Sequence, residues 1–312
     1  MNSDDKGVTQ ARRILAGLEL FAGVQDNELA VTRLGGLTNR VFRIDHGPEH
    51  YVLRVPGKGT EEYINRRHEE HAAREAARVQ VSPEVLHFDA QTGVMVARLV
   101  EAAVTMTPEN FRSRSGAPAR AGTVLRRLHS SGAVFNFRFE LFAMIDDYLK
   151  VLAGKGTQLP PGYHDLVTEA GAVRTALQAR ALPSAACHCD PLCENFLDAG
   201  PRMWLVDWEY SGMNDPLWDL GDLSVEGGFS AAQDEEMIRA YFSGEPRPAE
   251  RGRIVVYKAM CDLLWTLWGL IQHAHHNPVD DFWAYSLKRF ERCKSLMVTP
   301  EFARHAASVR QA

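Results

Sequence analysis

The chain has little of several things, and each scarcity narrows what its 312 residues can be. Its longest nearly continuous apolar run, Leu263 to Ile271, is far short of the roughly 20 residues a membrane helix needs. The N-terminus opens on Asp4 and Asp5 rather than on a basic and then apolar leader, so neither insertion nor export is expected. Charge of one sign is also scarce. With 35 Lys+Arg against 40 Asp+Glu, the net charge of -5 makes no field that would gather nucleic acid or anionic lipid. Cysteine is sparse and odd in number, with Cys187, Cys189 and Cys193 crowded together and Cys261 and Cys293 apart, which suits a reducing cytoplasm better than a secreted disulfide framework. The Cys-x-Cys-x3-Cys trio lacks the paired C-x2-C knuckles of common zinc sites and reads as small apolar residues near a loop. Internal repeats, low-complexity tracts and flexible linkers are absent as well.

What is present is the composition of a folded protein: 45% hydrophobic and 24% charged residues. A single core reaches its limit near this length, so two lobes are expected, with a cleft that favours an enzyme. Ile14, Leu15, Leu18 and Phe21 recur at helical spacing. Short strands follow around Val41 to Ile44, Tyr51 to Val55, Glu84 to Phe88 and Val94 to Leu99, with one long helix from Glu61 to Arg78 between them. The remainder is mainly helical: Ala119 to Ser131, Phe142 to Ala153, Tyr163 to Ala181, Ala231 to Phe242, Arg251 to His276 and Asp280 to Met297. A β segment from Ala186 to Val206, turning at Asp198-Ala199-Gly200-Pro201, interrupts them as a hairpin. The expected division is a β-rich lobe over residues 1–100 and a helical lobe over 101–312.

The most informative stretch is His188-Cys189-Asp190-Pro191-Leu192-Cys193-Glu194-Asn195, with Asp207 in Leu205-Val206-Asp207 twelve residues later. His-x-Asp-x4-Asn and then two apolar residues and Asp is a spacing used for phosphoryl transfer from a magnesium nucleotide. One carboxylate must take the proton of the substrate hydroxyl, while an amide oxygen and a second carboxylate hold the metal. Asp190 is the expected base and Asn195 and Asp207 the expected magnesium ligands, brought together by the hairpin. His188 and Asp190 alone would more often be a structural histidine and a turn former; Asn195 and Asp207 at these offsets reverse the balance.

From these residues through Asp207-Trp208-Glu209-Tyr210-Ser211-Gly212-Met213-Asn214-Asp215-Pro216 and Asp219-Leu220-Gly221-Asp222-Leu223-Ser224-Val225-Glu226, the chain resembles the choline/ethanolamine kinase branch of the aminoglycoside phosphotransferase-like kinases. The resemblance spans about residues 35 to 290. It implies an α+β, two-lobed protein-kinase-like fold with a small β-rich lobe and a larger helical one, ATP and Mg2+ as cofactors, and a cytoplasmic small-molecule kinase. It reaches back to Gly35-Gly36-Leu37-Thr38-Asn39-Arg40, in the place of a loop that covers phosphates with backbone N–H groups and the side chain of Asn39. Arg54, on the strand after that loop, stands where protein kinases have lysine and this branch has arginine. Its counter-ion should come from the next helix, where Glu69 is favoured and Glu70 stays open. Val100-Glu101-Ala102 would be the hinge that docks adenine through its backbone. His129, at a helix end, reads as structural.

The resemblance also addresses the acceptor. Trp265 and Trp268 lie with Asp262 and Gln272 on one helix face, Tyr285 follows on the next helix, and such aromatic faces attract a quaternary ammonium. The opposing possibility is plain core packing in a helix apolar all round. Glu226 would add a carboxylate, with Asp222 second. The adjacent His275 and His276 point to different sides of a helix, so they and His273 read as a wet helix end, not a metal site. The expected partner is an amino alcohol, choline first; ethanolamine, thiamine or an aminoglycoside are the alternatives. An amine-binding or nucleotide-binding module without catalysis is disfavoured by the complete Asp190, Asn195 and Asp207 set. A protein kinase is disfavoured because Asp-Phe-Gly and Ala-Pro-Glu are missing.

Overall fold

In the computed structural model, residues 3–35, 39–57 and 64–311 are described, and they divide into two compact units. One comprises residues 1–104 with 197–211; the other comprises 105–196 with 212–312. The division expected at residue 100 lacks the return of 197–211 to the first unit, because a short hairpin contributes to that unit through contacts far apart in the chain.

The first unit begins with α1 (Ser3–Ala16) and continues through β1 (Ala30–Gly35), β2 (Arg40–His46) and β3 (Glu49–Val55) to α2 (Arg66–Arg78), β4 (Val85–Phe88) and β5 (Met95–Arg98). The strands form one sheet in the order β1-β2-β3-β5-β4, every neighbour antiparallel. Phe42 and Ile44 of β2, with Tyr51, Leu53 and Val55 of β3, alternate into a core shared with Ala11 and Leu15 of α1. A period of two therefore sends Arg54 to the opposite face. Residues 61–63 of the expected helix lie outside the described residues, and α2 starts at Arg66, where the side chain of Asn65 accepts from the N–H groups of Arg67 (3.1 Å) and His68 (3.3 Å) and caps it. Ala72, Ala73, Ala76 and Glu69 form its buried face.

Past β6 (Val104–Thr105), the second unit is built from α3 (Pro108–Ser113), α4 (Ala117–His129), α5 (Leu141–Gly154), α6 (Tyr163–Ala179) and β7 (Ala185–Cys187). The chain then runs through β8 (Phe196–Asp198) and β9 (Met203–Leu205) before β10 (Gly212–Asn214), α7 (Leu217–Glu226), α8 (Ala231–Phe242), α9 (Pro248–Ala274), α10 (Phe282–Met297) and α11 (Pro300–Gln311). The expected single hairpin is two separate pairings. β8 and β9 pair around the anticipated turn, where the Ala199 N–H donates to the Arg202 carbonyl (3.0 Å), whereas β7 pairs antiparallel with β10. Residue separation misleads here, since β10 lies beyond the next turn and still outcompetes the nearer strand.

Helix α9 is the axis of this unit and packs against α5, α7, α10 and α11. It is 27 residues long, well beyond the apolar run from Leu263 to Ile271, and by length and composition it could cross a membrane. Of its most apolar stretch 83% is buried inside the unit, which gives its apolarity a packing role. Two glycines let other helices approach its backbone. A Cβ on Gly221 of α7 would lie 2.9 Å from the Ile254 carbonyl oxygen, and one on Gly269 of α9 would lie 2.3 Å from Ser286 Oγ and 2.6 Å from the Tyr285 ring.

Candidate active site

In the first unit the outward face of β3, the buried face of α2 and the segment after β9 converge on five charged side chains. Arg54, only 4% exposed, forms an ion pair through Nη2 with Glu69 and donates through Nη1 to Asp207 Oδ1 (3.1 Å); its Nη2 also donates to the Gly93 carbonyl (3.2 Å). Glu69 is thus the partner of Arg54, while Glu70 faces Arg74 at 3.0 Å. Two members escaped the sequence reading. Arg66 Nη1 donates both to Glu69 Oε2 (2.7 Å) and to Glu209 Oε1 (2.6 Å). Glu209 stands two residues beyond Asp207, and that i, i+2 acidic pair was the one available signal.

Three carboxylates face two guanidiniums here, and oxygens of Glu69, Asp207 and Glu209 lie within 4.8 Å of one another. Burial first, and then the negative charge of Glu209, push the Asp207 carboxyl up to about 7 against the pull of Arg54. Burial also raises Glu69. Burial works against the charge on Arg54, yet Glu69, Asp207 and Glu209 outweigh it and hold the guanidinium more firmly protonated than usual. Asp207 carries a φ of 69°, a left-handed backbone that costs a non-glycine residue and that these contacts hold in place.

Of the expected phosphate loop, Gly36 and Thr38 lie outside the described residues, and Gly35 closes β1 with a φ of 148°. Asn39 reaches into the charged cluster. Its Nδ2 is directed at Glu209 Oε1 (3.3 Å) and Asp207 Oδ2 (3.5 Å), since buried carboxylates draw the nearest donor. Asn39 Oδ1 and Arg54 Nε are buried with no hydrogen-bond partner among the described residues. Glu101 is an exposed turn residue whose carboxylate lies 3.7 Å from His50 Nε2.

The second unit places Asp190 and Asn195 together. Asn195 closes a 3-10 turn and its Nδ2 donates back to the Asp190 carbonyl (3.0 Å). Asp190 and Asn195 precede β8 and Asp207 follows β9, so the three residues flank one hairpin as expected, with Asp207 counted in the first unit. The backbone leading into Asp190 is clamped from α7. Buried Asp219 accepts from the N–H groups of His188 (2.7 Å) and Cys189 (2.9 Å), and Trp218 Nε1 donates to the Cys189 carbonyl (3.0 Å). Cys189 takes a φ of 67° to make this turn. His129 shares hydrogen bonds with Asp219 Oδ2 and the Tyr241 hydroxyl, both 2.9 Å, which is a structural use of that histidine.

Also in the second unit, α7, α9 and α10 bring the other expected residues together. The rings of Trp268 and Tyr285 lie 5.9 Å apart at 66°, and Phe282, absent from the sequence reading, meets Trp268 at 5.6 Å and 79°. Trp268 and Tyr285 are half-buried, while Trp265 is 4% exposed. Glu226 is not the lone carboxylate anticipated. It forms an ion pair with Arg289, whose guanidinium sits 4.6 Å from the Tyr285 ring centroid. Wholly buried Asp222 accepts from the Cys261 thiol (2.6 Å), and burial, then Glu226 and Asp190, push its carboxyl well above the usual range. Burial chiefly raises the Tyr285 phenol too, and Glu226 and Asp190 both act on it through space. All five cysteines are free and buried.

Comparison with known proteins gives four concordant findings. The model for a phosphotransferase enzyme family matches residues 30–251. Protein LicA of Haemophilus influenzae is 25% identical over 287 residues, 89% of this chain and 83% of its own. A solved choline/ethanolamine kinase family protein from Mesorhizobium loti is 65% identical with a TM-score of 0.90, covering 98% of this chain and 100% of that one. The choline kinase LicA of Streptococcus pneumoniae, 25% identical over 92% of this chain and 99% of its own, superposes with a TM-score of 0.76.

Proposed function

Since the chain belongs to the phosphotransferase enzyme family and, within it, to the choline/ethanolamine kinase family, it is a phosphotransferase with an alcohol acceptor, and we propose that it moves the γ-phosphoryl group of ATP onto the hydroxyl of choline. The observation that carries the choice of acceptor is the set of aromatic faces of Trp268, Tyr285 and Phe282, joined in one unit with Glu226 and Asp190. Aromatic faces favour a diffuse, cheaply desolvated trimethylammonium. Trp265 and Phe282, each 4% exposed, offer a ligand less surface than half-buried Trp268 and Tyr285.

In this proposal Asp190 accepts the hydroxyl proton as the oxygen attacks phosphorus, and the Asp219 clamp holds the backbone from which it acts. Arg54, kept charged by Glu69, holds phosphate oxygens, as does the loop of Gly35, Gly36, Thr38 and Asn39, with adenine docking against the backbone near Glu101. A divalent cation fits the first-unit cluster, where carboxylates outnumber arginines by one and Asn39 Oδ1 is a buried oxygen without a partner among the described residues. Asp207 would hold magnesium in this cluster, where the ion would neutralise charge on the transferred phosphate.

Ethanolamine is the second candidate, because the family that the chain belongs to takes its name from both alcohols. ADP release measured across choline, ethanolamine, thiamine and kanamycin tests the proposal. Choline should give the highest kcat/KM; a clear preference for any of the others would overturn choline while leaving the phosphotransferase itself in place.

A further inference from the structure

Arg289 is 5% exposed and yet meets three partners from three helices. Its Nη2 pairs with Glu226 at the end of α7, its Nη1 donates to Asp262 Oδ1 of α9 (3.2 Å), and its central carbon sits over the ring of Tyr285, one turn earlier on α10. Arg292 adds a second cation from α10, with Nε and Nη2 each 2.6 Å from an oxygen of Asp262. The two carboxylates and two guanidiniums cancel. Burial pushes the carboxyl of Asp222, beside them, well above the usual range. A lysine could not make the same set of contacts, because one ammonium cannot fork between two carboxylates while sitting over a ring.

On the premise that this cluster takes the acceptor, we propose that Arg289 is its specificity-determining positioning residue: it fixes Glu226 and the Tyr285 ring, and by cancelling carboxylate charge it suits the site to an acceptor with one positive charge rather than to a polycation. A second ammonium on the ligand would meet a guanidinium where it needs a spare carboxylate, and discrimination by such repulsion needs no close fit to the wrong ligand. Arg289 touches none of the reacting atoms in this scheme and acts through Glu226 and Tyr285.

The experiment uses the full chain and two probes that carry no hydroxyl, tetramethylammonium with one charge and 1,3-diaminopropane with two, each measured as an inhibitor competing with the acceptor. Arg289→Met should improve the diamine relative to tetramethylammonium by about five-fold or more, because Glu226 and Asp262 are then undercompensated. Arg289→Lys keeps the charge, so that ratio should stay near the wild-type value while tetramethylammonium itself weakens by roughly five-fold as Glu226 and Tyr285 lose their fixed geometry. The KM for ATP should stay within about two-fold in both variants. An unchanged ratio in a folded Arg289→Met protein overturns the inference. Should Arg289→Met fail to fold, Arg289→Lys decides, and unaltered tetramethylammonium binding in it is the overturning result. Glu226→Gln separates the two levels. If it weakens tetramethylammonium while the Arg289 variants change nothing, only the role of Arg289 falls; if it too leaves the probe untouched, the acceptor site has been placed wrongly.

Discussion

At the scale of single residues, two carboxylates carry different work because their surroundings differ. Asp190 is held by backbone, between the Asp219 clamp before it and the Asn195 amide that folds back on its carbonyl. Asp190→Asn keeps that shape and removes the base, so kcat should fall by at least about 100-fold with ATP binding retained. Turnover close to wild type would remove Asp190 from the base role. Asp207 is buried and crowded by Glu209 and Glu69, which pushes its carboxyl up to about 7 from an ordinary value of 3.8. The sign follows from which form each process needs. The folded chain binds a proton here that the unfolded chain has already lost, so from this group alone stability is gained as pH falls from about 7 towards 3.8. Magnesium needs the ionised form, so the affinity for magnesium nucleotide should fall as pH drops below about 7, approaching roughly ten-fold per unit for one competing proton. Calorimetric titration between pH 6 and 8 checks this, and a flat profile would contradict it.

At the scale of elements, the contact that shapes the aromatic cluster is a glycine. Gly269 lets α10 lie so close to α9 that a methyl group would stand 2.6 Å from the Tyr285 ring and 2.3 Å from Ser286 Oγ. Gly269→Ala must push α10 outward, at a cost of about 1 to 3 kcal/mol, and carry Tyr285 with it. The expected outcome is a lowered Tm together with a raised KM for choline and an unaltered KM for ATP; an acceptor KM that does not move would detach Tyr285 from substrate. The elements also show what could be read from the chain and what could not. Alternation in Tyr51 to Val55 is enough to send Arg54 to the face opposite the core, and spacing along α9 and α10 is enough to place Trp268 and Tyr285 on helices. Helix α7 does not show, because buried Asp219 and Asp222 sit where its apolar periodicity should be. Arg66 and Glu209, 143 positions apart, meet through tertiary structure alone, and Arg289 meets Glu226 across 63. Charged residues on helices usually belong to solvated faces, so nothing in their spacing marks these as buried partners.

At the scale of the whole molecule, the first unit is not a contiguous stretch of chain. Residues 197–211 return to it from the far side of 92 intervening residues, 105–196. They bring the Leu205 N–H to the Val81 carbonyl (2.8 Å) and the indole N–H of Trp208 to Ser82 Oγ (3.0 Å). They also supply Asp207 and Glu209, without which Arg54 and Arg66 would share Glu69 as their sole remaining carboxylate in that cluster. A buried guanidinium stripped of its partner is among the more expensive defects a fold can carry, at about 3 to 5 kcal/mol, against a total stability of only about 5 to 15 kcal/mol for a domain. A fragment of residues 1–104 should therefore fail to fold cooperatively although it contains the entire five-stranded sheet. Fusing residues 197–211 to it through a flexible linker should restore the transition, and the same fusion carrying Asp207→Ala and Glu209→Ala should lose it again. Thermal melts followed by circular dichroism distinguish the three polypeptides. A cooperative melt of 1–104 alone, at the temperature of the fusion, would show that the sheet and its apolar core suffice and that the returning carboxylates serve chemistry without contributing to the fold.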